Sequence, residues 1–247
     1  MNPLNTVKHF NAYDNLYKKH YGKYIQAYRP TQDQDLELYI NQLIKPRPHE
    51  IILDCGSGFG AVAEQISPQS KKVHAINICS QQISTNQSNV NYIHGDFDEV
   101  DSIFTDKSIF DKIVFIESLG YSKDISALLD KCKNLLKPKG KLILKEFFVK
   151  NLFNKKLQDL QVKSIFLTKK IYNYQILDSK NLQDMVNSLD LNMLSIHSPV
   201  FECNWSKSFN FEQSIIKNQN EKIIQKPQEI AEKDNLFDCL ELIVEKP

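Results

Sequence analysis

What this 247-residue chain lacks narrows its function before any motif is read. It has no excess of either charge, with 31 Lys and Arg against 30 Asp and Glu. That balance removes a global electrostatic drive toward nucleic acid, and lysine pairs such as Lys18-Lys19 and Lys155-Lys156 read as solvated faces. The cysteines, at 55, 79, 132, 203 and 239, are odd in number and scattered, with no C-x-x-C pair for zinc or dithiol chemistry. They point to a reducing compartment. No metal-ligand spacing and no Ser/His/Asp grouping emerges. Residues 1–5 lack the apolar stretch of a signal peptide, and no apolar run reaches bilayer-spanning length. The expectation is a cytoplasmic protein that neither inserts into a membrane nor binds nucleic acid. There is no internal repeat, and nothing in the chain specifies an oligomeric state.

What is present is an alternation. After residue 50, apolar runs alternate with helical periods, as expected when parallel strands are joined by crossover helices. Strands are predicted near 50–54, 72–77, 91–94, 111–117 and 141–147, with later ones at 193–197 and 240–244. Ile125, Leu128, Leu129, Cys132, Leu135 and Leu136 form one buried helical stripe. Pro138 and Gly140 should end that helix and turn the chain into the next strand. Asp178 and Ser179 offer an N-cap to a second helix with Leu182, Met185, Val186 and Leu189 on one face. The fold class expected is α/β, a doubly wound, mostly parallel seven-stranded sheet. Residues 1–45, rich in tyrosine, should form an N-terminal helical cover on a core of 46–247. Within that core 148–178, with Phe153, Phe166, Tyr172 and Tyr174, reads as aromatic cover, and 203–236 as a cap segment or loop.

The most informative run is Ile51-Ile52-Leu53-Asp54-Cys55-Gly56-Ser57-Gly58-Phe59-Gly60, an apolar strand that stops at an aspartate and turns through alternate glycines into a helix. Such a loop lets a ligand approach the main chain and meet unpaired N–H groups at a helix start. The bland alternative is a glycine-rich turn. Gly56, Gly58 and Ala61 also satisfy the dinucleotide pattern G-x-G-x-x-G/A, but that pattern wants an acid at the end of the next strand, where this chain has Asn77. In an open α/β sheet, ligands sit beyond the carboxyl ends of the strands, which places Asp54–Gly60, Asn77, Asp96 and Glu117 on one rim.

Over residues 46–147 the chain resembles class I S-adenosylmethionine-dependent methyltransferases. The matching text is Leu53–Gly60, then His94-Gly95-Asp96-Phe97, Phe110–Val114, and Leu135-Leu136-Lys137-Pro138-Lys139-Gly140, all in the family's order. The resemblance implies that Asp54, Gly56, Gly58 and Gly60 belong to the cofactor loop, with the glycines lining its methionine and ribose portions. It implies further that Asn77 faces the ribose hydroxyls, Ile78 packs on adenine, Asp96 accepts from the adenine amino group and Phe97 lies beside the ring. The cofactor would be S-adenosyl-L-methionine, with no metal. Two positions depart from the pattern. Lys139 replaces a glycine, tolerable if that position is not forced to positive φ. Asn77 replaces an acid, and Asn77–Gln82 looks like the subgroup of cyclopropane synthases and of sterol, isoprenoid and other small-molecule methyltransferases, in which a Gln at the offset of Gln82 is common. Gln26 stands where that subgroup often has His.

Methyl transfer from a sulfonium is an in-line displacement, so holding the reactants aligned in a dry site is the protein's first task. Glu117, after the fourth strand, is expected to be electrostatic or basic, or else to bond backbone amides of the cofactor loop or of the aromatic cover. Tyr121 would shape the pocket, and His20 could reach it from the N-terminal cover. The aromatic and aliphatic cover points to a small apolar or amphiphilic acceptor. Behind this stand a protein that keeps the fold without transferring methyl, or a non-methylating cyclase-like catalyst, and behind that an NAD-dependent dehydrogenase.

Overall fold

The computed structural model describes residues 1–30, 33–83, 89–199 and 236–247. Two helices come first, α1 (Pro3–Tyr21) and α2 (Asp33–Ile44). The sheet then begins with β1 (Ile51–Cys55), α3 (Ala61–Ile66), β2 (Lys72–Asn77), β3 (Val90–His94), the short α4 (Val100–Ile103) and β4 (Phe110–Ile116). α5 (Ile125–Leu135), β5 (Leu136–Val149), α6 (Lys155–Tyr172), α7 (Ser179–Ser188), β6 (Asn192–His197) and β7 (Phe237–Glu245) complete it. The sheet order is β3-β2-β1-β4-β5-β7-β6, and only β7 runs antiparallel to its neighbours. The expected seven-stranded α/β sheet is therefore present.

Both faces of the sheet are covered, which explains why its central strands carry continuous apolar runs. On one face Leu53, Ile113, Phe115, Leu142 and Leu144 pack against Leu128, Leu129, Cys132 and Leu135 of α5 and Leu182 and Val186 of α7. On the other, Ile52, Val73, Val114 and Ile143 meet Val62 and Ile66 of α3 and Leu36, Ile40, Leu43 and Ile44 of α2. α2 is thus a core helix, which differs from the expected cover over 1–45: its apolar stripe, Leu36, Ile40, Leu43 and Ile44, packs on the sheet. α1 is different. Its Tyr17 packs with Ile171 of α6, alongside Phe10, Tyr13, Tyr21, Leu167 and Tyr172.

The expected cap of α7 is made, Asp178 accepting from the Asn181 N–H at 2.9 Å. Asp124 starts α5 in the same way by accepting from the Ala127 N–H at 3.0 Å, a cap that the sequence reading did not pick out. Three expectations need correction. The Pro138–Gly140 turn lies inside β5, which begins directly after α5, and it perturbs the register against β4 between Phe110 and Lys112. Lys139 there has φ 64°, so the position does demand the left-handed conformation that glycine would take without strain. Phe153 and Phe166 are exposed on the α6 side and cover nothing among the described residues, whereas Tyr174 is buried. The predicted cap segment 203–236 lies outside the described residues but for Leu236.

Candidate active site

β1's neighbours in the sheet are β2 and β4, so the strand connections leave β1 in opposite directions. A crevice opens at the carboxyl ends of strands where that reversal occurs. It is a cleft with about 780 Å³ of space including its open mouth. Asp54, Gly56, Ser57, Gly58, Asn77, Ile78, Gln82, Phe97 and Glu117 line it from the sheet side. Thr6 and Phe10 of α1, the segment Lys23–Gln26, and Tyr121 line it from the other.

The glycine loop does two jobs. Gly56 has φ 81°, and a Cβ there would lie 2.5 Å from Ser118 Cβ, so this glycine allows β1 and the loop after β4 to touch. Gly58 has φ 54°, yet a Cβ would meet nothing nearer than Ile25 Cδ1 at 3.7 Å, leaving its outer side open. Gly60 precedes α3 and packs on Tyr92. It is not among the cleft-lining residues.

Two buried polar atoms in this loop, Asp54 Oδ2 and Ser57 Oγ, have no hydrogen-bond partner among the described residues. An unpaired buried polar group costs about 1–3 kcal/mol, so both suit a ligand that supplies donors. Burial pushes the Asp54 carboxyl up to about 7, against a smaller opposing effect of the Ala63 N–H. The two N–H groups of the Asn77 amide are shared among three acceptors, Gly58 O, Cys79 O and Gln82 Oε1, at 3.3, 3.2 and 3.1 Å. Two main-chain carbonyls thereby fix which way the amide points, and its carbonyl oxygen is left as the acceptor for a ligand. An aspartate has no N–H to offer these acceptors, a physical reason for the departure from an acid. Gln82 lines the cleft, but its side chain is engaged by Asn77 and, at 3.4 Å, by Asp14 of α1.

Ile78 and Phe97 lie on the cleft wall, Phe97 edge-on to Phe115 with centroids 5.6 Å apart. Asp96 is not a lining residue. It caps the turn after β3 by accepting from the Asp98 N–H at 3.0 Å, and it pairs with Lys123 at 3.0 Å. His20 also lies off the cleft, in the last turn of α1, its pKa lowered chiefly by partial burial and then by Lys19. Tyr121 lines the cleft and packs on Tyr174 with centroids 4.9 Å apart. Burial, with Glu146 and Glu117 nearby, raises its pKa.

Glu117 is held firmly. Its carboxylate accepts from the Ala27 N–H at 2.6 Å, the Tyr28 N–H at 3.1 Å and the Lys145 ammonium at 2.5 Å. This is the amide-bonding arrangement, made to the segment that walls the cleft. Sequence reasoning missed its partner Lys145 and also Glu146, both fully buried in β5. Glu146 accepts from the Ser118 and Leu119 N–H groups at 2.7 and 2.6 Å and bonds the Tyr174 hydroxyl, fixing the loop that carries Tyr121. Burial raises its carboxyl to about 8. The signal was present: two charges interrupt the apolar run Leu142-Ile143-Leu144-Lys145-Glu146-Phe147-Phe148 of a strand covered on both faces, where unpaired charge is not tolerated. His9 was missed too. It is buried among Phe10, Tyr13, Tyr17 and Tyr172, bonded to Tyr17 Oη at 2.8 Å, and burial lowers its pKa to about 4.

Among the described residues no cluster could hold a metal ion, and no helix is long and apolar enough to cross a membrane. No curated protein matches the chain. Solved structures do match its shape. A geranyl diphosphate C-methyltransferase from Streptomyces coelicolor A3(2), solved with Mg2+, geranyl-S-thiolodiphosphate and S-adenosyl-L-homocysteine, is 12% identical with a TM-score of 0.72; the match covers 99% of this chain and 98% of that one. The [4+2]-cyclase SpnF is 14% identical with a TM-score of 0.71, covering 98% and 94%. Haemonchus contortus phosphoethanolamine N-methyltransferase 2, solved with S-adenosyl-L-methionine, is 14% identical with a TM-score of 0.68, covering 98% of this chain and 60% of that one. At such identities the likeness shows the fold. A methyltransferase-domain family model matches residues 26–196, spanning the glycine loop, Asn77, Glu117 and the Lys145–Glu146 pair. The chain therefore belongs to the methyltransferase domain family, with the class I fold whose cofactor is S-adenosyl-L-methionine.

Proposed function

We propose that the protein transfers the methyl group of S-adenosyl-L-methionine to a small apolar or amphiphilic acceptor. The observation that carries this reading is the continuity of one cleft, with the glycine loop and Asn77 on one wall and Phe10, Tyr24, Ile25 and Tyr121 on the other. The bound cofactor supplies an electrophilic methyl on a sulfonium. The chain's own residues bind, orient and exclude water. Asp54 Oδ2 and Ser57 Oγ offer unpaired atoms to polar groups of the cofactor, the Asn77 carbonyl accepts from a diol, and Ile78 and Phe97 give apolar surface to a base ring. Phe10 and Tyr121, with ring centroids 5.7 Å apart, form an aromatic wall on which an apolar acceptor can rest. Apolar burial there is worth about 25 cal/mol per Å².

The acceptor is tested by incubating cell extract with methyl-labelled cofactor and identifying the labelled product, after titration with S-adenosylhomocysteine and with NAD. Binding of NAD alone would overturn the proposal. Glu117→Gln separates the roles of that carboxylate. Lower turnover at unchanged cofactor affinity marks a group acting on the reaction, whereas weakened S-adenosylhomocysteine binding marks one that positions the wall. The fold likeness to a [4+2]-cyclase motivates a second reading, a catalyst that holds the cofactor without spending its methyl. Tight cofactor binding with substrate turnover and no label transfer is its signature.

A further inference from the structure

Lys145 is 0% exposed, in the second half of β5 opposite the last residue of β4, with its ammonium 2.9 Å from Gln26 Oε1, 2.5 Å from Tyr28 O and 2.5 Å from Glu117 Oε1. Glu117 in turn accepts the Ala27 and Tyr28 N–H groups. One ion pair between the end of β4 and the adjacent β5 thus grips the segment 24–28 through a side chain, a carbonyl and two amides. Tyr24, Ile25 and Gln26 of that segment line the cleft. Two further observations suggest that position is what the pair provides. A buried ion pair can usually be replaced by apolar residues without loss of stability, so net stability is a weak explanation for it. Glu117 also holds φ 54°, a left-handed conformation that is costly for a side chain-bearing residue and persists where surrounding contacts enforce it.

Resting on the cofactor reading above, we propose that Lys145 is a positioning residue for the cleft: with Glu117 it fastens segment 24–28 as the outer wall, so that this wall contributes to holding the bound cofactor. The pair is neutral as a unit and is taken up by the wall. Its contribution is to geometry and to the rate at which the cofactor escapes.

The test is the double variant Lys145→Met/Glu117→Met beside the single Lys145→Met. The single variant strands a buried carboxylate and should melt well below wild type, and adding the second substitution should restore the melting temperature, since neither charge is then left unpaired. In the double variant the Ala27 and Tyr28 amides should exchange hydrogen at least about tenfold faster and S-adenosylhomocysteine should dissociate at least about tenfold faster, equivalent to about 1.4 kcal/mol. Unchanged exchange or unchanged release in the folded double variant overturns the proposal. If the double variant does not fold, wild type still decides it. Saturating S-adenosylhomocysteine should slow exchange of those two amides, because coupling between wall and ligand is reciprocal, and no slowing overturns it. Binding of S-adenosylhomocysteine to wild type is measured first; its absence sinks the cofactor reading, whereas binding with an indifferent wall sinks only this one.

Discussion

Alanine substituted at Gly56 and at Gly58 should give two different proteins, although the glycines are two residues apart in the same loop. Both have positive φ, 81° and 54°, where a Cβ costs about 1–2 kcal/mol. At Gly56 the added carbon also lies 2.5 Å from Ser118 Cβ. Ser118 cannot step aside easily, because its hydroxyl donates to Cys55 O at 2.6 Å and its N–H is held by the buried Glu146. Overpacking of that kind costs a further ~1–3 kcal/mol. Gly56→Ala should therefore lose about 2–5 kcal/mol and melt roughly 10 °C lower, at about 2–4 °C per kcal/mol for a chain of this size. At Gly58 the nearest atom is Ile25 Cδ1 at 3.7 Å, an ordinary contact, so Gly58→Ala should lose only the backbone cost, roughly 4 °C. Its defect should appear in binding, since the Cβ occupies the space between loop and wall. Thermal melts with and without S-adenosylhomocysteine, and calorimetric titration of each variant, measure both quantities. Equal losses of stability, or full affinity in Gly58→Ala, would refute the division of labour between the two glycines.

Glu146 makes stability depend on pH in a stated direction. Its carboxyl titrates near 4.5 when exposed and near 8 when folded, so between those values the unfolded chain ionises first and stability falls as pH rises. Glu146→Gln keeps an acceptor for the Ser118 and Leu119 amides and should flatten denaturation midpoints measured across that range; an undiminished slope refutes the assignment. Asp54, at about 7 without ligand, should lose its proton when it meets a cationic group of the cofactor. S-adenosylhomocysteine affinity measured from pH 6 to 8 should therefore rise with pH, and Asp54→Asn should remove the rise. Lys139→Gly relieves a left-handed lysine whose side chain is largely exposed, and should add about 0.5–1 kcal/mol, read as an upward shift of the melting temperature. No gain would show that the turn is not strained.

The chain itself determined the alternating α/β plan, the α5 and α7 stripes, the aspartate cap of α7, and the glycine loop with Asn77 at the following strand end. These are local or periodic facts, set by apolar spacing and by residues that satisfy backbone groups a few positions away. Tertiary structure alone decided who meets whom across long separations. Asp96 and His20 have the chemistry of site residues, yet Asp96 is spent on a turn and Lys123, and His20 lies off the cleft. Lys145 sits 119 positions from Gln26 and 28 from Glu117, and only the parallel pairing of β4 with β5 and the return of the N-terminal segment over their ends bring the three together. Sequence periodicity can mark a charge in a buried strand as anomalous. It cannot name the partner, because the low-dielectric interior demands only that one exist, and the path of the chain selects it.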